Sequence, residues 1–232
     1  STNSRFVVAA YDYSDENDLI LQRDSAGRGE TYAYNNHLFV QRTLATGFSY
    51  YYEWDSQEPG ARCVHTWGDN GVYDYRFEWD TANNRTLATD SRGFTTEFIY
   101  NEFGLITQET DNEGGVNHYT YENGLRTSHT DPAGNTTHYG YDSANRLVSV
   151  TDALGESQEH RYVENQLVAS TDKSGAQWRR TYNKNGLLAS LTSPGGQTTQ
   201  YRYNAQGLLV QQEQANKQIT RYEWNATGEL TA

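Results

Sequence analysis

The chain has 232 residues and a formal net charge of −12, with 35% hydrophobic residues and 13% aromatics, including 19 tyrosines. The apolar share falls below the roughly 45–50% of an ordinary globular domain, a range that also counts glycine, but the chain is too aromatic for an unfolded acidic tail. The acidic balance argues against a phosphate-neutralising nucleic-acid face, no apolar run approaches the ~18 residues of a membrane span, and the single cysteine, Cys63, allows no intrachain disulfide or cysteine-clustered zinc site.

An aromatic residue followed by Asp, Asn or a stand-in recurs at Tyr13, Tyr34, Trp54, Trp79, Tyr100, Tyr121, Tyr141, Tyr162, Tyr182, Tyr203 and Trp224. The spacing is 20 or 21 residues except between Trp54 and Trp79, where 25 residues include an insertion around Glu58, Pro59 and Gly60. A fixed period of this length marks a repeat architecture. It predicts a single segment over 1–232, irregular at about 55–79 and regular over 80–232, with no linker dividing it.

Two turns per repeat are legible in chain order. The first is Asp-x-x-Gly, at Asp24/Gly27, Asp90/Gly93, Asp111/Gly114, Asp131/Gly134, Asp152/Gly155 and Asp172/Gly175. Asp131-Pro132-Ala133-Gly134 has Asp, Pro and Gly where a type I turn prefers them. The second turn follows the anchor, at Asn101/Gly104, Asp142/Asn145, Asn183/Gly186, Asn204/Gly207 and Asn225/Gly228. In both, an Asx side chain can bond the backbone two residues on, and Gly or Asn accepts positive φ.

Between the turns lie alternating runs such as 97–100, 118–121, 136–141, 200–203 and 221–224, each answered by a Leu-led return run such as 147–151 or 167–171. Aromatic and β-branched runs at this spacing predict an all-β chain of consecutive antiparallel hairpins. Fifteen of the 19 tyrosines sit at an anchor or two residues before one. The expected structural ladder includes Tyr100, Tyr119, Tyr121, Tyr139, Tyr141, Tyr201, Tyr203 and Trp224, with rings stacked across neighbouring strands at roughly 0.2–1 kcal/mol per pair. About 22 strands at ~4.8 Å make a ribbon roughly 100 Å long. Open sheets of more than ~10 strands curl, so a long curled strip is expected.

The repeat resembles the YD repeat of the Rhs family, most closely over Asp131 to Leu147, where Tyr139-Gly140-Tyr141-Asp142 carries the signature. The segment Tyr51-Tyr52-Glu53-Trp54, with Arg62 to Asp69 and Tyr73 to Arg76, is similar to the front of the repeat core in proteobacterial Rhs effectors. The resemblance implies a cocoon-like shell around a C-terminal toxin, found in polymorphic toxins often delivered by type VI secretion and in toxin complexes. It implies a structural role without catalysis, partners in the rest of the shell and the enclosed toxin, and synthesis in the bacterial cytoplasm before export. No spike-tip domain, toxin domain, cleavage segment or signal peptide is recognisable, and a chain without Met that begins at Ser1 reads as a piece of something longer. Its ribbon, roughly 2,300 Å² in area, would make about a third of a minimal shell around a ~100-residue cargo. Open sheet edges predict self-association or pairing with that shell.

Other chemistry has weaker footing. No Gly-rich loop with Lys-Ser/Thr accompanies the Asp-x-x-Gly turns, and the calcium β-roll and EF-hand patterns are absent. His118 and His138 occupy a repeat position that elsewhere carries Thr31, Arg76, Glu97 or Gln200, which reads as a solvated face and not a metal site. His160 replaces the first aromatic of its unit and reads as a packing variant. Cys63, in a strand-like stretch, reads as a buried small hydrophobe. No nucleophile elbow is present, so no catalytic residue, metal or cofactor is expected. Trp67 and Trp178 lie off the anchor positions and are candidate ligand-stacking rings. They keep open the alternative of a carbohydrate- or cell-surface-binding adhesion module.

Overall fold

Asx/Gly turns at about ten-residue spacing produce strands at nearly every expected position. A computed structural model describes residues 9–225 and 227–231, which form 21 β-strands and one turn of 3-10 helix, Asp69–Gly71. The expected class is found: all-β, in consecutive antiparallel hairpins. The chain divides into two units, residues 1–118 and 119–232, with the cut inside one strand.

The first unit holds β1 (Ala9–Tyr13), β2 (Leu19–Asp24), β3 (Gly29–Asn35), β4 (Leu38–Thr43), β5 (Ser49–Trp54), β6 (Cys63–Gly68), β7 (Tyr75–Asp80), β8 (Arg85–Asp90), β9 (Thr95–Tyr100), β10 (Ile106–Thr110) and the start of β11 (Val116–Glu122). The second holds the end of β11 and then β12 (Leu125–Thr130), β13 (Thr136–Tyr141), β14 (Leu147–Thr151), β15 (Ser157–Val163), β16 (Gln166–Thr171), β17 (Gln177–Tyr182), β18 (Leu188–Thr192), β19 (Thr198–Tyr203), β20 (Leu209–Glu213) and β21 (Ile219–Arg221). From β1 to β11 and from β12 to β21 the strands form a meander, each antiparallel to the next in sequence. The run 221–224 departs from expectation: β21 ends at Arg221, and Trp224 makes an isolated bridge to Leu230.

A meander without a second layer buries little. Among the described residues Ala169, at 5% exposure, is the buried hydrophobic side chain, and the anchors are half-buried or exposed. Alternation gives the strands two unlike faces. In β13 and β14, Tyr139 stands opposite Val150 and Tyr141 opposite Leu147, while Gly140 and Ser149 pair on the other face.

A periodic irregularity was not legible beforehand. Register shifts occur at Asp12/Tyr13, Ala33/Tyr34, Glu53/Trp54, Gly140/Tyr141, Arg161/Tyr162, Thr181/Tyr182 and Arg202/Tyr203, and between Ile106 and Gln108 opposite Tyr100. Each is a β-bulge at an anchor, where the return strand has one residue more than its partner. Bulges bend a strand and increase its twist. The β7–β8 hairpin, with Trp79 opposite Thr86, runs in register without one.

Candidate functional site

The turns are built alike. The Asp131 carboxylate accepts the N–H groups of Ala133 and Asn135, both at 2.9 Å, and the Asn135 amide at 2.9 Å. Gly134 donates to the Asp131 carbonyl at 2.9 Å, and Asp131 donates to the Asn135 carbonyl at 3.0 Å. Gly134 has φ 85°, the left-handed residue of a three-residue hairpin with a G1 bulge. Asp152 with Gly155 and Asp172 with Gly175 repeat this geometry. These hydrogen bonds hold the carboxyls below the usual range: Asn135 contributes most at Asp131, Lys173 at Asp152 and Ser174 at Asp172. Three anchor hairpins instead turn on two residues, Asn36-His37, Asn123-Gly124 and Glu164-Asn165.

Flanking the Asp-x-x-Gly turns and their counterparts at Ser193/Gly196 and Leu44/Gly47 are paired hydroxyls. Thr130 meets Thr136 at 2.8 Å, Thr151 meets Ser157 at 2.7 Å, Thr192 meets Thr198 at 2.9 Å, Thr89 meets Thr95 at 2.9 Å and Thr43 meets Ser49 at 2.8 Å. The signal lay in the sequence, as a hydroxyl residue on each side of the turn, six positions apart.

The aromatic positions differ from a stacked ladder. Tyr139 faces Val150, Tyr141 faces Leu147, Tyr201 faces Gln212, Tyr203 faces Leu209 and Tyr100 faces Ile106. Tyr119 packs on His129, 5.0 Å between centroids, with the Arg126 guanidinium over its ring. Tyr121 occupies the same strand, β11. The physical reason is the repeat itself: aromatic strands alternate with Leu-led strands, so rings on successive aromatic strands stand about 9.6 Å apart, two strand spacings. Ring pairs need roughly 4.5–7 Å. Ring contacts across strands appear where the return strand supplies a ring, as with Phe39, tilted against Tyr34 at 5.6 Å and against Tyr52 at 4.8 Å.

The anchors' polar tips have their own recurrent role. Tyr182 donates its hydroxyl to the carbonyl of Leu167 at 2.9 Å. Trp54 donates Nε1–H to Phe39 at 2.7 Å, Trp224 to Leu209 at 2.7 Å and Trp79 to Cys63 at 2.8 Å. In each case the carbonyl lies on an earlier strand, and a ring with a donor at its tip is required.

Trp67 lies in β6, stacked on Tyr51 at 5.5 Å and His65 at 4.2 Å. His65, 9% exposed, lies between two carboxylates, Nδ1 at 3.1 Å from Glu53 and Nε2 at 2.9 Å from Asp74. Asp69 accepts from the Tyr51 hydroxyl and the Ser49 N–H. Trp67 is thus one layer of a packed polar cluster. Trp178, in the second unit, is 38% exposed in β17, opposite Ser170. Cys63 is half-buried, its thiol 3.3 Å from the His65 carbonyl, and burial raises its pKa. His118 and His138 are exposed, while His160 is half-buried with an unpartnered Nδ1. Glu16, Asp18 and His37 bring potential metal-ligand atoms within 4.8 Å of one another. They are exposed or half-buried, and the hydrogen bond of His37 to Asp18 raises the imidazole pKa.

Solved structures share the fold of this chain. The crystal structure of TcdB2-TccC3 without its hypervariable C-terminal region is similar over 96% of this chain, with a TM-score of 0.67 at 12% identity. That of TcdB2-TccC3-TEV is similar over 96%, with a TM-score of 0.51 at 15% identity. The likeness is one of fold, and this chain spans 14% and 12% of those chains. No curated protein matches it. The family described as RHS Repeat matches residues 79–116, 119–157, 163–198, 182–215 and 203–232, more than half of the sequence. With recurrent Asx turns and an anchor aromatic at a period of 20 or 21 residues over the matched stretches, the chain belongs to the RHS repeat family.

Proposed function

We propose that this chain is a wall segment of an Rhs-type toxin shell, and that its work is containment. The observation that carries the reading is the likeness of 96% of the chain to part of TcdB2-TccC3; the recurrent Asx turns and the anchor bonds from Trp54, Tyr182 and Trp224 support it. In this reading residues 1–232 are one stretch of wall without catalysis. Anchor bulges and Asx turns set its curvature, and the edge strands β1 and β21 pair with neighbouring wall or with a second copy. The complete protein is made in the bacterial cytoplasm and delivered with a toxin domain enclosed, by type VI secretion or as part of a toxin complex.

The test is native and denaturing mass spectrometry of the intact parent gene product. A C-terminal fragment retained natively and released on denaturation is the expected result. A single uncut chain without a retained fragment would overturn the reading. The 38% exposure of Trp178 favours one further check, a glycan panel against the isolated chain, which a wall segment should leave blank.

A further inference from the structure

In most anchor hairpins the gap between successive aromatic strands is filled by the return strand, as by Leu147 and Val150 between β13 and β15. The unbulged β7–β8 hairpin breaks this rule. There Trp79 faces Thr86 and Phe77 faces Ala88, while Leu87 sits between Glu78 and Glu97 on the other face. A one-residue change of register moves a side chain to the opposite face, and the leucine that would fill the gap is lost to it.

What remains is a trough of about 450 Å³ lined by Phe77, Trp79, Thr86, Phe98, Tyr100 and Arg62, among others. This lies within the size range of small-molecule sites. Its walls belong to β7 and β9, two strand spacings or about 9.6 Å apart, which leaves room for one flat ring between them. The Trp79 wall is held by its hydrogen bond to the Cys63 carbonyl. At the floor, Thr86 is 6% exposed and its Oγ1 has no hydrogen-bond partner. Buried polar atoms are normally paired, and this hydroxyl can turn to a ligand without breaking an existing bond. At the rim Arg62 is exposed, and its guanidinium has no ion pair among the described residues.

We propose that this trough binds a small planar aromatic acid, with the ring slotted between the Phe77/Trp79 and Phe98/Tyr100 walls and the acidic group against Arg62. The site stands independently of the shell reading. The test is calorimetric titration of the chain with 2-naphthoate and with its neutral analogue 2-naphthalenemethanol. Saturable one-to-one binding of the acid is expected. Arg62→Gln should weaken the acid about tenfold, the size of a lost charged hydrogen bond, and leave the neutral analogue unchanged. Ala88→Leu, which refills the trough, should abolish binding of both while the circular dichroism spectrum is kept, and Trp178→Ala should bind as the parent does. No saturable binding to the parent, undiminished binding to Ala88→Leu, or equal effects of Arg62→Gln on both compounds would each overturn the proposal.

Discussion

The hydroxyl of Tyr182 donates to the carbonyl of Leu167, fifteen residues earlier, at 2.9 Å. Trp54 reaches Phe39 and Trp224 reaches Leu209 across the same sequence distance with the indole N–H. At these anchors the ring therefore ties its own hairpin to the preceding one, a role that Phe, without a donor at its tip, could not fill. Tyr182→Phe is expected to cost about 1 kcal/mol, one net hydrogen bond, and Tyr182→Trp to cost less. Urea melts of the two variants measure this. An unchanged midpoint for Tyr182→Phe would mean that water serves the Leu167 carbonyl equally well.

The Thr130–Thr136 pair makes a prediction of non-additivity. Thr130→Val leaves a hydroxyl without its partner at a cost of about 1 kcal/mol, and the double valine variant recovers most of it, because valine keeps the branched shape and removes both polar groups. A double-mutant cycle reads the coupling directly.

Backbone conformation separates two turn substitutions. Gly134 has φ 85° and open space where a Cβ would stand, so Gly134→Ala meets strain alone, about 1–2 kcal/mol. Glu164 already carries such strain at φ 53°. Glu164→Gly should gain up to ~1 kcal/mol, offset in part by a freer unfolded chain. Thermal melts should move in opposite directions for the two.

Tyr139 is half-buried against Val150. Tyr139→Ala is expected to cost about 1–2 kcal/mol, roughly half of the 3–5 typical for an aromatic truncated in a closed core. A larger loss in urea melts would show that more of the ring is covered in solution than one layer of strands provides.

Acid should loosen the turns. The carboxyls of Asp24, Asp90, Asp131, Asp142, Asp152 and Asp172 are all held low, first by a neighbouring side chain and then by backbone N–H groups. A depressed folded-state pKa gives stability that is present above the unfolded value and lost as pH falls through the folded one. The melting temperature should be level from about pH 7 to 5 and fall below about pH 4. A midpoint unchanged down to about pH 2 would show that the ionised carboxylates add nothing to the turns.

The amino-acid sequence by itself determined the class of fold, the period, the anchors and the Asp131/Gly134 type of turn, because a three-residue hairpin turn is complete within five residues and its demands fall on residue types at fixed offsets. The faces of the strands followed from alternation for the same reason. Tertiary structure alone decided the register: the bulges at the anchors, the facing of Tyr139 with Val150 where a second ring was expected, and the displacement of Leu87 that opens the trough beside Trp79. Register depends on which residue of one strand meets which residue of the next. One inserted residue changes that pairing and turns a side chain to the other face, while the hydrophobic pattern along either strand stays the same.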